Sequence, residues 1–374
     1  MTAQFTESTR SAIAIARQQT LGDLLRRTAL RVPEKVAIIN GPRTLTFAEF
    51  DAAVNRCANM LAAKGLTKGD RLALVSHNNW QFATLHYATA RLGVILVPVN
   101  FGLGADEIAF ILEHSGATAV VAEDTLVPTV AKAVEIADLT LSARGCIHAG
   151  GLAPDADWED VDTWMLDGDS TPPQVSIADD DPLRLMYTSG TESRPKGVLL
   201  SSKSLINQYV SCVIDGGMAG DDVEIHSLPL FHCAQLDCFL SVDVFLGATS
   251  IILPGPDPAT VLETIETQGV TKLFCPPTVW ISLLRHPDFD RRDLSSLRKG
   301  LLRCVRHARR SVARDGATTS AGVVVELLRP DRDVAVGHDP VAARADRARW
   351  VGRAGGPECG DPRRRRREQP GAHR

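Results

Sequence analysis

The chain has 374 residues, 44% apolar and 23% charged, with a formal net charge of −4, a composition that excludes fibrous and wholly disordered classes and suits layered globular structure. No apolar run reaches the ~18 residues of a membrane-spanning helix, and the start, a short patch at 12–16 followed by Arg17, lacks the features of a secretory signal; we expect a cytoplasmic protein without integral membrane contact. The charge is split: residues 1–300 hold 24 Lys and Arg against 36 acids, whereas residues 301–374 hold 17 Arg, no Lys and 9 acids, so a boundary is expected there.

Leu21, Leu24, Leu25 and Ala29 share a helical face. Two strand signals, 36–39 and 44–47, flank Asn40-Gly41-Pro42. Thr46 and Glu49 form a capping-box pair opening a helix that Gly65 ends. Alternation follows: strand 71–76, helix 80–92 closed by Gly93, strand 94–99, helix 105–114 and strand 119–122. After a polar stretch at 151–180 it resumes through 185–187, 204–213, 224–228, 249–253 and 272–275. Strands alternating with helices imply an α/β fold: stacked mixed and parallel sheets covered by helices.

The chemistry is concentrated in 187–198, YTSGTESRPKGV. Gly190 and Gly197 permit turns that aim backbone N–H groups at an anion. Thr188, Ser189, Thr191 and Ser193 add hydroxyls, and Lys196 adds a mobile positive charge. The segment fits a phosphate-gripping loop but is not a Walker A loop, because no G-K-[S/T] run opens a helix. His232 follows Pro-Leu-Phe at a strand end, where a histidine is more often structural than catalytic. Cys233 and Cys238 lie near it, yet none of the eight cysteines forms a C-x-x-C pair, so they read as small core fillers rather than a metal site.

The segment resembles the phosphate-loop signature [YF]-T-S-G-T-T-G-x-P-K-G-V of the adenylate-forming superfamily, and most of all its fatty-acyl-CoA synthetases. Glu192 and Ser193 replace Thr-Gly of that pattern. An added carboxylate beside phosphates is unfavourable unless it faces Arg194 or a metal. LTFAEFDAAVNRCANMLAAKG (45–65), ARLGVILVPVN (90–100), HSLPLFHCAQ (226–235), VTKLFCPPTVWISLL (270–284) and DLSSLRKG (293–300) are similar to further family segments in the same order. The resemblance covers residues 18–300, after an N-terminal arm at 1–17. It implies an N-terminal adenylation domain, incomplete here, in which Thr188, Ser189, Gly190, Thr191, Glu192, Ser193, Lys196 and Gly197 hold ATP. It further implies that Thr188 touches Mg²⁺ and that His232 lies at the mouth of the acyl and nucleotide sites. The implied reaction activates a fatty acid or other carboxylate with ATP and passes it to CoA, or to a carrier-protein thiol in the related acyl-AMP ligases.

Residues 301–374 contain no Phe, Tyr, Met, Ile, Asn or Lys, the types with A/T-rich codons. A GC-rich gene read out of frame produces that bias. Back-translated and read one base later, GLLRCVRHA (300–308) admits G-Y-Y-G-A-S-G-M-P, and ELLRPDRD (326–333) admits N-F-Y-G-Q-T-E-M, the family's adenine and Mg²⁺ segment. We therefore expect 301–374 to be an irregular, out-of-frame tail, the family's C-terminal lysine-bearing domain to be absent, apolar surface near 273–284 to be left uncovered, and the chain alone to be inactive. A silent binding protein with a basic arm, Arg363–Arg367, is the other reading; that run with one aromatic in the whole tail does not make a nucleic-acid site.

Overall fold

The structure, a computed structural model, describes residues 6, 9, 13, 19–150, 157–188 and 194–303, and the backbone of 323–327. Helix α1 (Leu21–Arg31) starts where the Thr20 side chain accepts the Asp23 N–H. Strands β1 (Val36–Asn40) and β2 (Arg43–Thr46) form the expected hairpin. Helix α2 (Phe47–Ala63) opens with the reciprocal capping box of Thr46 and Glu49, which satisfies two N–H groups that would otherwise lack partners. Strand β3 (Arg71–Val75) leads to α3 (Trp80–Leu92), capped by the Asn79 side chain and ended by Gly93 at φ +71°, a left-handed conformation open to glycine without steric cost. Strand β4 (Ile95–Val99), helix α4 (Ala105–Ser115) and strand β5 (Ala119–Glu123) complete the first alternation.

Next come α5 (Val127–Ile136), β6 (Ala143–Ile147), β7 (Glu159–Asp160) and α6 (Val161–Leu166). The last two fall in the stretch read as merely polar. A few anchors, Trp158, Val161, Trp164 and Met165, are buried there, at a helical spacing that lasts little more than one turn. The chain continues through β8 (Pro182–Thr188), β9 (Lys196–Ser201), α7 (Ser202–Gly216) and β10 (Val223–His226). A π turn (Leu236–Leu240) then enters α8 (Ser241–Leu246), followed by β11 (Thr249–Ile252), α9 (Pro258–Gln268), β12 (Lys272–Phe274), α10 (Pro277–Arg285), β13 (Lys299–Arg303) and β14 (Val323–Leu327).

Two sheets result. The first has the order β7-β6-β5-β3-β4-β8-β9, parallel except for the β8–β9 hairpin. The second has the order β14-β13-β12-β10-β11-β1-β2, parallel from β13 to β1 and antiparallel at both ends. Alternate residues of β3 divide between cores: Leu72 and Leu74 join the cluster of α1, α2 and α3, and Ala73 and Val75 join that of α4 and α5. Ile225 and Ile251 face a third cluster with α9 and α10. The layers thus alternate helix, sheet, helix, sheet, helix. Helix α3 lies in the shared middle layer with every residue buried, as a helix apolar nearly all round requires.

One expectation needs correcting. The surface near 273–284 is covered: Leu273, Phe274, Cys275, Trp280, Leu283 and Leu284 are buried, and Ile281 is the exposed large apolar side chain of that run. The reason is that β13 pairs with β12 and continues past residue 300. The tail's apolar cluster also forms a strand, Val323–Leu327, on the outer edge of β13. Residues 304–322 and 328–374, including Arg363–Arg367, lie outside the described residues.

Candidate functional site

In both sheets the strand order reverses beside one parallel strand, β3 in the first and β10 in the second. From β3 the chain crosses to β4 on one side and then to β5 on the other; from β10 it crosses to β11 and then to β12. Connections leaving such adjacent strands run over opposite faces, which opens a crevice at their carboxyl ends where ligands commonly bind.

The two crevices are furnished differently. In the second sheet Asn78, from the β3–α3 turn, fills the opening. Its Nδ2 donates to the carbonyls of Leu228 (2.7 Å), Leu253 (3.2 Å) and His226 (3.4 Å), and its Oδ1 accepts the Leu230 N–H at 2.8 Å. Asn40 adds a second tie, donating to the Ile252 carbonyl at 3.0 Å and accepting the Trp80 N–H at 3.1 Å. These two amides join the carboxyl edges of the sheets, and no sequence signal for either was read.

The first sheet's edge carries a different set of side chains. His77 is half-buried, with Nδ1 3.0 and 3.1 Å from the two oxygens of buried Glu123, whose carboxylate also accepts the His77 N–H at 2.9 Å. The His77 ring packs on Phe101, centroids 4.0 Å apart, and Phe101 meets Phe231 edge to face at 5.3 Å. Phe231 carries the chain into His232, an exposed residue whose Nδ1 accepts the Ala234 N–H at 3.0 Å as the cap of the turn Cys233–Gln235. His232 therefore reaches this edge through the Phe101–Phe231 contact.

Of the residues read as a phosphate loop, Thr188, Lys196 and Gly197 lie on the other flank. Thr188 and Lys196, read as loop, are the last registered pair of the β8–β9 hairpin, and Gly197 pairs with Tyr187. Ser189, Gly190, Thr191, Glu192 and Ser193 lie outside the described residues. Lys196 is exposed. A Cβ on Gly197 would meet Leu185 Cδ1 at 2.8 Å, so glycine lets β9 lie close on β8. The base of the hairpin rests on α4: Tyr187 Oη is 2.7 Å from His114 Nδ1, and the Arg194 guanidinium sits over the Phe110 ring at 5.4 Å. Strand β8 runs parallel to β4 with Arg184 opposite Leu96. That register carries Thr188 level with Asn100, next to Phe101. Hydroxyl, ammonium and the Phe231–His232 pair are thus gathered around the β4–α4 connection.

Behind the filled crevice lies a buried ion cluster. Glu224, His226, Asp243 and Lys272 are all inaccessible; the Lys272 ammonium pairs with Asp243, with Glu224 at 2.9 Å and with Asp222 at 3.9 Å. Burial pushes the Glu224 carboxyl well above the usual range. Burial also opposes charge on Asp243, but Lys272 outweighs it and holds that carboxyl low. Gln235 Nε2 donates to His226 Nδ1 at 2.6 Å, which leaves the ring proton on Nε2, facing Asp243 Oδ2 at 3.3 Å. The donor atoms of Glu224, His226 and Asp243 fall within 4.8 Å of one another. The lysine ammonium already neutralises that group, so its chemistry is that of a structural ion cluster.

A family model described as AMP-binding enzyme matches residues 25–344. Feruloyl-CoA synthase of Amycolatopsis sp is 34% identical over 75% of this chain and 54% of its own length. Long-chain-fatty-acid–CoA ligase FadD13 of Mycobacterium tuberculosis is 31% identical over 75% and 54%. The chain spans about half the length of these curated relatives. The inhibitor-bound crystal structure of the N-terminal domain of FACL13 from Mycobacterium tuberculosis superposes with a TM-score of 0.68 at 26% identity, covering 77% of this chain and 76% of that one. No helix among the described residues is long and apolar enough to cross a membrane.

Proposed function

Because the chain belongs to the AMP-binding enzyme family, we propose that it is the nucleotide-gripping part of an acyl-CoA synthetase, activating a fatty acid or other carboxylate as its adenylate for transfer to CoA. The observation that carries this reading is the registered Thr188–Lys196 pair closing a hairpin beside the open crevice. A carboxylate oxygen attacking the α-phosphorus of ATP brings an anion to a polyanion, and pyrophosphate leaves with further charge. Positive charge and N–H donors fixed around the phosphates are what such a step requires. Lys196 supplies a mobile ammonium at the mouth of the hairpin. Arg194, held on Phe110, supplies a second cation.

The Thr188 hydroxyl is a hard oxygen donor, and it fits one coordination position of a Mg²⁺ ion carried by the phosphates. Bound there, the ion would neutralise charge on the transferred group. His232 and Phe231 border the place where the carboxylate approaches, and the Phe101–Phe231 contact offers an apolar wall to its acyl or aryl body. Relatives named for a feruloyl and for a long-chain fatty acyl substrate support a carboxylic acid with a large apolar body. In the second half-reaction a thiolate attacks the acyl carbon and AMP departs.

The test is binding of a fluorescent ATP analogue, followed by anisotropy. Lys196→Ala removes a charge-assisted contact worth ~1.5–3 kcal/mol, so about a tenfold to hundredfold weaker affinity is expected, with an unchanged melting temperature. Equal affinity in both proteins would overturn the assignment of this hairpin.

A further inference from the structure

Two histidines border the crevice of the first sheet, and their hydrogen bonds set opposite tautomers. His232 commits its Nδ1 lone pair to the Ala234 N–H at 3.0 Å, so its ring proton sits on Nε2 and that edge donates. His77 is arranged the other way. The parallel register of β3 and β5 pairs Val75 with Ala122, which sets Glu123 beside the turn that carries His77. The Glu123 oxygens lie 3.0 and 3.1 Å from His77 Nδ1. They also accept the His77 backbone N–H at 2.9 Å, the Ser76 hydroxyl at 3.2 Å and the Thr125 hydroxyl at 3.0 Å. A carboxylate so held draws the ring proton of His77 onto Nδ1 and leaves the lone pair on Nε2. Phe101 packs on the ring with centroids 4.0 Å apart, yet the His77 side chain keeps 37% of its surface exposed. Among the described residues no hydrogen-bond partner lies at its Nε2.

We propose that His77 is the base that takes the proton from the acceptor thiol, with Glu123 as its positioning residue. The inference rests on the ligase reading and deepens its second half-reaction. Of the two half-reactions only that one has a proton to remove. The carboxylate that attacks ATP is already an anion, whereas a thiol, with an ordinary pKa of ~8.5, is mostly protonated at neutral pH. The S–H bond breaks toward His77 Nε2 and the sulfur electron pair forms the S–C bond. The bond from the acyl carbon to the phosphate oxygen breaks, and AMP leaves with its electron pair. The imidazolium then returns its proton to water, so acyl-adenylate and thiol become thioester, AMP and one proton. Glu123 holds the tautomer and stabilises the imidazolium, as the carboxylate of an acyl-transfer triad does. His232, with its proton on Nε2, is suited to donate to an oxygen and cannot accept the thiol proton there. The Phe101–Phe231 contact sets both histidines along one aromatic run, so acceptor and donor border the same opening.

The test supplies the full chain with ready-made dodecanoyl-adenylate and pantetheine and follows thioester formation. General-base assistance contributes ~10²–10⁴-fold, so His77→Gln is expected to slow the reaction about a hundredfold or more. Imidazole added to His77→Gly restores part of the rate, which a merely structural loss would not allow. Glu123→Gln, whose amide donates to Nδ1, moves the ring proton to Nε2 and slows the reaction as well. Affinity for the fluorescent ATP analogue stays unchanged in His77→Gln, so failure here is separate from failure of the ligase reading, which that binding decides. An undiminished rate in His77→Gln, or no acceleration over buffer by the unsubstituted chain, would overturn the proposal. Nitrogen NMR of the unsubstituted chain reads the tautomer even where a variant fails to fold: the proton is expected on His77 Nδ1, and a proton on Nε2 ends the assignment.

Discussion

The two sheets have the same reversal of strand order and opposite uses for the crevice it creates. In the second sheet Asn78 occupies the opening and a buried ion cluster lies behind it. In the first sheet the opening is bordered by His77, Phe101 and the hairpin of Thr188 and Lys196, several of them exposed or half-buried. The difference is in what the segments after β3 and β10 carry. The turn after β3 sends Asn78 across to the other sheet, whereas the segment after β10 sends Phe231 back to Phe101. One crevice holds the sheets together so that the other can stay open with its borders fixed.

That contrast can be broken most severely at Lys272. Lys272→Ala leaves Asp243 buried without its cation, and removing one partner of a buried pair costs ~3–5 kcal/mol. A drop of that size in urea-derived stability is expected, against little change for Lys196→Ala on the open side. A loss below ~1 kcal/mol would show that the cluster does not carry the closed side.

Next in size is the clamp itself. Asn78→Ala leaves the Leu228 and Leu253 carbonyls and the Leu230 N–H without their partner, and unsatisfied buried groups cost ~1–3 kcal/mol. The expected signature is faster amide exchange at Leu230 together with lower stability. Unaltered exchange there would mean that the sheets are held by packing alone.

The smallest expected effect is the response to acid. Burial, with Arg184 beside His86, holds the His86 ring well below its ordinary value, and burial lowers His226. The unfolded chain therefore binds more protons at these rings below pH ~6.5, so stability falls as pH drops through that value. Glu224, raised by burial, acts in the opposite sense over the same range. Below pH ~6.5 the two rings outweigh the one carboxyl, so a net loss of stability is expected there. Thermal melts at pH 7.5 and 5.5 check it, and a higher melting temperature at pH 5.5 would put Glu224 in command.

Much of the alternation was legible because it rests on local rules. Helix α3 falls on the 80–92 read from its pattern and Gly93, and Thr46 with Glu49 opens α2 as their spacing requires. The segment with Trp158 and Trp164 was passed over as polar, because Val161, Trp164 and Met165, though at helical spacing, span a single turn set among acids. On the site side, the hydroxyl-rich run with Lys196 stood out from composition alone. His77, Glu123 and Asn78 did not, for each is one polar residue near a strand end, and such residues are ordinary in any α/β chain.

By itself the sequence determined the α/β order, the helix caps and the hydroxyl-rich run that ends in Lys196-Gly197, because each depends on residues within a few positions of one another. Only the tertiary structure decided that 299–303 completes the second sheet, that Asn78 fills one crevice, and that Phe231 brings His232 to the other. The last two join residues more than a hundred positions apart, Asn78 with Leu230 and Phe101 with Phe231, and the first joins Lys299 to Lys272 across a whole helix. They form only once the parallel register has set which strand ends lie side by side, and neither periodicity nor local propensity carries that register.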